Sequence, residues 1–490
     1  MTSTMGNASA DVVSRSLDLA TPLREAMLPY MAILAWTCLV SLPTLRFDDA
    51  DDAFFVEVAH LWTQGHAPFV AAFDVKGLGF YAILALAEQA IGASLLTMKI
   101  VEALFLAIGA AALYRIAAKY DRAAAVLAAA LYPILTIISC DAAYAVMNAF
   151  LLVAFACAFS EASPRARALY AGLAVGVACT VKQTCAIDGL ALMYILGSRD
   201  RKASLASFIV AATLAPLAFV AGYALSGHLG DLTRDFVVTA LNRESIVPWS
   251  AVFGHFVEWM TPFAVVAVVA PLALLQRQQI SAAVPMRALF VWLAIEGIGL
   301  VAQRGGYRTS MAPLIAPMLL IAALFISATY AVEGRVKQRA ALSIFGLFVV
   351  CGAMLGYGAT ILRKMTIIDT DGLRQIAGVV EATRPRGDDR LFVVNGRVWP
   401  NIALNLPPPT PFFHFEHVMC EFPGAGLPAL VANFEARPRY VVFETPNRRL
   451  TCEPEAFARE IGSALAADYR LVSTVRSELS NYQIFEIARP

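Results

Sequence analysis

The chain has 490 residues, of which 59% are hydrophobic and 15% charged, and its formal net charge at pH 7 is +1. This composition, with a mean hydropathy of +0.65, describes a polytopic membrane protein and excludes an ordinary soluble domain. The basic residues fall in short, separate clusters, so the charge pattern also argues against a nucleic-acid-binding protein.

Apolar runs long enough to cross or nearly cross a bilayer recur along the first 361 residues. We predict about eleven transmembrane helices, at residues 27–45, 98–118, 122–139, 142–160, 168–181, 185–197, 204–225, 256–276, 288–303, 311–331 and 341–361. A further run at 78–94 is interrupted by Glu88 and Gln89, and we assign it to the membrane interface. The two short runs within 168–197 are flanked by basic residues, which predicts a bent pair with its tip at VKQT.

The positions of lysine and arginine orient these spans. The connections AAKYDR, EASPRARA, GSRDRK, QRQQ and EGRVKQR are basic, and such loops concentrate in the cytoplasm. They share one side of the membrane if 78–94 does not cross it. We therefore predict a plasma (inner) membrane protein with an uncleaved first span, a cytoplasmic N-terminus, and external loops at about 46–97 and 227–255. The QRGGYR turn and everything after residue 361 then lie outside.

The composition changes near residue 362, where charged residues become common and apolar runs shorten to strand length. The segments RLFVVNG, RPRYVVFET, YRLVSTV and NYQIFEI are typical of strands, and 369–383, 426–436 and 454–467 are typical of helices. We predict a transmembrane domain over 1–361 and a small, soluble, external α/β domain over 362–490.

Two cysteines differ from the six that lie in or beside predicted spans. Cys420 and Cys452 both fall in the predicted external domain, where an oxidising compartment allows a disulfide, and two free thiols are the alternative. HFEH at 414–417 brings two histidines and a glutamate together, but in a strand the histidines point to opposite faces. We interpret them as loop side chains rather than a metal site.

Four aspartates, at positions 48, 49, 51 and 52, follow the first span directly. A solvated acidic loop is one interpretation, and it agrees with the bias of positive charge toward the cytoplasm. The apolar and aromatic residues that follow, from Phe54 to Trp62, instead favour an interfacial helix with carboxylates at its N-terminal end. Four aspartates are also numerous enough to hold a divalent cation, and we leave the metal unassigned.

The stretch DDAFFVEVAHLWTQGHAPFVAAFDVKGLGFYAI resembles the first external loop of lipid-linked-sugar glycosyltransferases with the GT-C membrane fold, a superfamily that includes protein mannosyltransferases and the aminoarabinose transferase. Asp51 and Asp52 stand at its Asp-Glu pair, with Asp52 in place of the usual glutamate, and the FDVK element matches its Phe-Asp-x-Lys motif. KGLG stands where Lys-Pro-Pro is usual. ARALYAGLAVGVACTVKQTCAID, QRGGYRTSMAPLIAPMLLIAA, VWPNIALNLPPPTPFFHF and RPRYVVFE are similar to further segments of the same proteins, in the same order.

The resemblance implies a catalytic acidic pair, Asp51 and Asp52, of which Asp51 is the general base. It places a second acidic site at Asp141, although this residue also suits a helix cap. Asp48 and Asp49 precede the motif, and we interpret them as a solvated collar. The predicted phosphate-binding residues are Lys76, Lys182, Arg304 and Arg308, with anchoring to lipid headgroups as the alternative for each. The predicted acceptor or sugar contacts are Asp74, Tyr307, Arg243 and Glu244.

These acidic and basic residues suit the reaction of a membrane glycosyltransferase. A carboxylate accepts the proton of an acceptor hydroxyl as it attacks a polyprenyl-phosphate sugar, and cations stabilise the leaving phosphate. In-line attack predicts inversion at the anomeric carbon. The acceptor is a lipid, a glycan or a protein. A transporter or flippase is the main alternative, but the outer charge lies in loops instead of within the spans, and no GxxxxGK[ST] stretch offers ATP coupling. A glycan ligase or polymerase is another alternative.

Overall fold

In the computed structural model, the described residues are 27–48, 51–74, 76–139, 141–199, 202–239, 250, 253–254, 257, 264–275, 286–302, 308–331, 333–364, 366–414, 426–445, 454–478 and 480–488. Up to residue 364 they are mostly helical, with strand β1 (Phe47–Asp48), short 3-10 and π helices and connecting loops. The helices are α1 (27–41), α2 (Asp52–Thr63), α3 (Leu78–Ile91), α4 (Leu95–Ala117), α5 (Arg122–Ser139), α6 (Ala142–Ala158), α7 (Pro164–Val181), α8 (Asp188–Arg199), α9 (Lys202–Leu225), α10 (Leu229–Leu232), α11 (Ala264–Leu275), α12 (Met286–Ala302), α13 (Ala312–Ala331) and α14 (Arg335–Lys364).

Among the described residues, five helices are long and apolar enough to cross a membrane. They are Met27–Leu45, Leu95–Ala117, Ser204–Leu225, Thr309–Ala331 and Arg335–Leu355. Leu78–Ile91, Arg122–Ile137 and Ala142–Ala158 are shorter apolar helices. The chain therefore has the character of a polytopic helical membrane protein, and the full count of eleven spans stays a prediction.

The predicted break at VKQT is present. Helix α7 ends at Val181, a short 3-10 helix covers Gln183–Ala186, and α8 begins at Asp188. Helix α7 packs closely on α9 because Gly172 and Gly176 carry no side chain: a Cβ on either would lie 2.4 Å from a carbonyl oxygen of α9. This small-xxx-small pattern brings helix backbones together in membranes.

The described residues after 364 form a mixed α/β unit. Its helices are α15 (Thr370–Ala382), α16 (Trp399–Leu404), α17 (Gly426–Glu435) and α18 (Pro454–Asp468). Its strands are β2 (Thr366–Ile367), β3 (Leu391–Val394), β4 (Tyr440–Thr445), β5 (Tyr469–Arg476) and β6 (Asn481–Ile487). The sheet order is β3-β4-β6-β5, with β3 and β4 parallel and the other pairs antiparallel. The four strands and three helices predicted from the sequence are all present.

This α/β unit packs against the first loop. Strand β1 pairs antiparallel with β2, and Phe47 lies opposite Ile367 in this ladder. The amide of Phe73 donates to the carbonyl of Pro411 at 2.8 Å, and the rings of Phe54 and Phe413 lie 5.4 Å apart. The α/β unit therefore contacts the first loop at Phe47, Phe54 and Phe73.

Candidate active site

Three predicted site residues meet where α2 and α6 begin. The Lys76 Nζ atom lies 3.7 Å from Asp51 Oδ2 and 3.6 Å from Asp141 Oδ2, and it also lies 4.6 Å from the ring centroid of Phe55. The side chain of Asp51 is 36% exposed, whereas that of Asp141 is buried. A single ammonium group therefore lies between two carboxylates, one of which reaches solvent.

The two aspartates serve their helices differently. Asp141 is the N-cap of α6, and its side chain accepts from the Tyr144 amide at 2.9 Å. Asp51 is the N-cap of α2, but its side chain makes no capping hydrogen bond. Asp141 thus both caps α6 and pairs with Lys76, so its two interpretations, a helix cap and a second acidic site, are compatible. The Asp51 carboxylate is not committed to its own helix, so its oxygens are better placed to accept a proton.

The second predicted lysine lies beside this group. Lys182 is the C-cap of α7, and its ammonium donates to the Tyr144 hydroxyl and lies 3.9 Å from the centroid of that ring. The Gly77 amide donates to the Val181 carbonyl at 2.8 Å, which fixes the residues next to the two lysines against each other. The first turn of α6 therefore contacts both cations, Lys76 through Asp141 and Lys182 through Tyr144.

The same contact explains why glycines stand in KGLG. A Cβ on Gly77 would lie 1.9 Å from the carbonyl oxygen of Thr180, and a Cβ on Gly79 would lie 2.1 Å from its Oγ1 atom. A side chain at either position would force Thr180 to shift. The departure from the usual Lys-Pro-Pro pattern thus lets the start of α3 lie directly on the end of α7.

Asp52 and Asp74, also predicted as site residues, are buried. Lys99 Nζ lies 3.1 Å from Asp52 Oδ2 and 3.2 Å from Glu102 Oε2, so Asp52 belongs to a buried charged triad with two residues of α4. Asp74 accepts a hydrogen bond from the Tyr81 hydroxyl. Neither carboxylate faces solvent as Asp51 does.

The interpretation of Asp48 as part of a solvated collar is wrong. Its side chain is 1% exposed, forms an ion pair with Arg397 and accepts from Trp399 Nε1 at 2.8 Å. Burial raises the pKa of this carboxyl, while Arg397 opposes the increase. Asp48 therefore connects the loop to the α/β unit.

Several predicted residues lie outside the described residues: Arg243, Glu244, Arg304, Tyr307, Cys420 and Cys452, together with Asp49, Glu416 and His417. Arg308 begins the 3-10 helix Arg308–Met311, of which only the backbone is described at this residue. His414 is buried and stacks on Phe54, with ring centroids 4.4 Å apart. Within the described ranges, no group of three or more histidine, cysteine, aspartate or glutamate side chains is arranged to hold a metal ion.

Sequence reasoning missed Tyr144, Lys99 and Arg397 as partners of the site. For Lys99 a signal existed, because a lysine and a glutamate three residues later interrupt an apolar span at high energetic cost. Tyr144 lies one turn after Asp141, but its pairing with Lys182 depends on how α6 and α7 pack. Nothing local to the NGRVW segment indicates that Arg397 pairs with Asp48.

The fold is shared with solved membrane glycosyltransferases. The crystal structure of the aminoarabinose transferase ArnT from Cupriavidus metallidurans bound to undecaprenyl phosphate is similar with a TM-score of 0.65 and 12% identity, over 94% of this chain and 98% of that chain. Its apo form gives a TM-score of 0.60 and 12% identity over the same shares. The arabinofuranosyltransferase AftD from Mycobacteria gives 0.57 and 13% identity, over 95% of this chain and 42% of that chain.

No protein-family model and no curated protein matches the sequence. At 12–13% identity, the likeness to the solved structures shows the fold. The GT-C membrane fold predicted from the first external loop is therefore confirmed.

Proposed function

We propose that this chain is a membrane glycosyltransferase, which transfers a sugar from a polyprenyl-phosphate donor to an acceptor hydroxyl of a lipid, glycan or protein. The observation that carries the proposal is the group formed by Asp51, Lys76 and Asp141. It combines a partly exposed carboxylate with a cation, the two functions that transfer from a phosphate-linked sugar requires. The fold supports it, since a transferase with this fold has been solved with undecaprenyl phosphate.

Asp51 acts as the general base. Its carboxylate accepts the proton of the acceptor hydroxyl while the hydroxyl oxygen bonds to the anomeric carbon. The bond from that carbon to the phosphate oxygen breaks on the opposite face, so the configuration inverts. Asp51 suits this role because it is exposed enough to reach an acceptor and makes no cap bond in α2.

Lys76 and Lys182 bind the donor phosphate and stabilise the charge that develops on it. Both ammonium groups border the first turn of α6, one beside Asp141 and the other on Tyr144. Lys76 also contacts the base, so the phosphate and the attacking hydroxyl lie on neighbouring sides of one cation. Arg304 and Arg308 of the QRGGYR turn complete the cationic side, as the sequence predicts.

We propose the corresponding topology for the whole chain: a transmembrane domain over 1–361 with eleven spans and a cytoplasmic N-terminus, and an external α/β domain over 362–490. The active site then lies on the periplasmic face of an inner membrane, where nucleotide sugars are absent and a lipid-linked donor is needed. The docking of the α/β unit on the first loop supports placing both on the same side. A Cys420–Cys452 disulfide belongs to the same proposal.

Release of undecaprenyl phosphate tests this function whichever sugar the donor carries. Purified protein in nanodiscs is incubated with a panel of undecaprenyl-phosphate sugars and mixed lipid, glycan and peptide acceptors, with and without a chelator. We expect release by the wild type, and a loss of about 10²–10⁴-fold in Asp51→Asn, because a general base contributes about that factor. Asp371→Asn, at a surface ion pair of α15, is the matched control.

Wild-type release by Asp51→Asn contradicts the assignment of the base. Movement of donor lipid across the bilayer without release favours a flippase instead. A loss of release only in the presence of chelator shows dependence on a divalent cation.

A further inference from the structure

Lys99, Asp52 and Glu102 form a buried triad directly behind the proposed base. The exposures of their residues are 6%, 1% and 5%. One ammonium contacts both carboxylates at 3.1 and 3.2 Å. Lys99 and Glu102 belong to α4, a helix apolar enough to span the membrane, whereas Asp52 is the first residue of α2 and follows Asp51 in the chain.

Such a triad costs free energy that an apolar contact at the same place does not. Moving ions out of water is expensive, and buried ion pairs are often no more stabilising than hydrophobic residues of similar volume. A charged side chain within a membrane helix is costly as well and usually marks a functional site. The triad therefore calls for an explanation other than stability.

The charges make the contact between α2 and α4 directional. Most of the α2 contacts are apolar, with Phe54, Phe55 and Val58 buried, and hydrophobic burial is non-directional. The ion pair instead fixes one atom of Asp52 against one atom of α4. Because the Phe55 amide donates to the Asp51 carbonyl at 2.9 Å, the turn that holds Asp52 also holds the backbone of Asp51.

We infer that Lys99 is a positioning residue for Asp51 and acts through Asp52. This inference rests on the proposed function, in which Asp51 is the base. Asp52 is then an anchor rather than a second base, and Glu102 orients the Lys99 ammonium. A displacement of about 1 Å in a reacting group costs as much as about 100-fold in rate, so loss of the anchor lowers turnover without removing any group from the reaction.

Two single substitutions separate anchoring from the general effect of charge. Asp52→Asn and Glu102→Gln each remove one carboxylate from the same ammonium and leave it the other. Only Asp52 belongs to α2. We expect undecaprenyl phosphate release to fall about 10–100-fold in Asp52→Asn and much less in Glu102→Gln. Equal losses in both variants overturn the inference.

A third variant answers whether the triad is merely structural. Lys99→Met, Asp52→Leu and Glu102→Met together replace the charges by apolar side chains, an exchange that is often neutral or stabilising. We expect its melting temperature and its binding of undecaprenyl phosphate to match the wild type, while kcat falls about 10–100-fold. Lys119→Met is the control, because Lys119 lies about 30 Å away beyond the other end of α4.

The outcomes separate this inference from the proposed function. A wild-type kcat in the triple variant, with Asp51→Asn inactive, overturns only the inference about Lys99 and leaves the proposed function in place. A wild-type rate in Asp51→Asn overturns the base and the inference together. Loss of undecaprenyl phosphate binding along with kcat in the triple variant assigns the triad to the shape of the whole site and also overturns positioning.

Discussion

At the scale of residues, the acidic stretch after the first span distributes its charges among separate partners. Asp48 pairs with Arg397 of the α/β unit, Asp51 with Lys76 of the loop, and Asp52 with Lys99 of α4. Each cation comes from a different part of the chain. The three described aspartates therefore neither form a uniform solvated loop nor cluster around one cation, and only Asp51 among them keeps substantial contact with water.

Glu57 gives a prediction about pH. It is buried in α2, and burial together with the neighbouring Glu88 raises the pKa of its carboxyl from 4.5 to about 8. Between pH 4.5 and about 8 the folded protein holds a proton that the unfolded chain has lost, so the free energy of unfolding falls as pH rises through this window. We expect Glu57→Gln to be more stable than the wild type at pH 8 and similar to it at pH 5, as measured by thermal unfolding in detergent.

A control is needed because Glu57 is not the only titratable group here: Glu88 is its neighbour, and His60 Nδ1 lies 3.8 Å from Glu88 Oε2. Glu161→Gln changes a carboxylate that is 90% exposed, and it should keep the wild-type dependence of melting temperature on pH. If Glu57→Gln keeps that dependence too, Glu57 does not titrate in this window.

At the scale of elements, local patterns predicted most of what the structure shows. Strands β3 to β6 and helices α15, α17 and α18 follow from periodicities that a short window contains, whereas β2 and α16 were not predicted. The break between α7 and α8 follows from its basic flanks. The number of transmembrane spans is harder to predict. Helix α8 has 12 residues, which reach about 18 Å, against about 30 Å of hydrocarbon, so length alone does not make it a span.

Contacts between elements were much less predictable. The amino acids of KGLG identify a departure from a family pattern, but they do not show that Thr180 lies against it. The pairing of Lys99 with Asp52 likewise depends on how α2 crosses α4. Periodicity reports which face of an element is apolar and not which residue of another element meets it, so three partners of the site were missed.

Gly77→Ala tests the contact between the start of α3 and the end of α7. The backbone at Gly77 is extended (φ −81°, ψ 154°), so alanine adopts it without strain, and the effect comes from the new Cβ against the Thr180 carbonyl. We expect a loss of about 1–3 kcal/mol in stability from overpacking, and lower undecaprenyl phosphate release because Lys76 precedes the displaced residue. Thermal unfolding and release assays measure the two effects.

Gly189→Ala is the matched control for this substitution. Gly189 lies in the neighbouring helix α8, and a Cβ there meets nothing within 4 Å. Alanine is favoured over glycine inside helices, so stability should stay the same or rise slightly. If Gly77→Ala behaves like this control, the close approach of α3 to α7 does not exist in solution.

At the scale of the whole molecule, the α/β unit and the first loop form a continuous contact. Trp399 and Asp48 are 351 residues apart in the chain and hydrogen-bond at 2.8 Å. Farther along α2, the Asn405 side chain accepts from Gln64 at 2.7 Å and contacts His60 Nε2 at 3.0 Å. Both ends of the segment that carries Asp51 are thus held from the same side, so docking of the α/β unit and the position of the base are linked.

Arg397→Met tests this link. The substitution removes a cation from a carboxylate that is fully buried, and breaking a buried pair in this way costs about 3–5 kcal/mol. We expect the variant to unfold at lower temperature, to expose the α/β unit to limited proteolysis, and to release less undecaprenyl phosphate. Adding Asp48→Asn removes the uncompensated charge and keeps an oxygen for Trp399, so the double variant should recover most of the lost stability. If the double variant is as unstable as Arg397→Met alone, the two residues are not coupled and the docking depends on the apolar contacts around Phe54 and Phe413 instead.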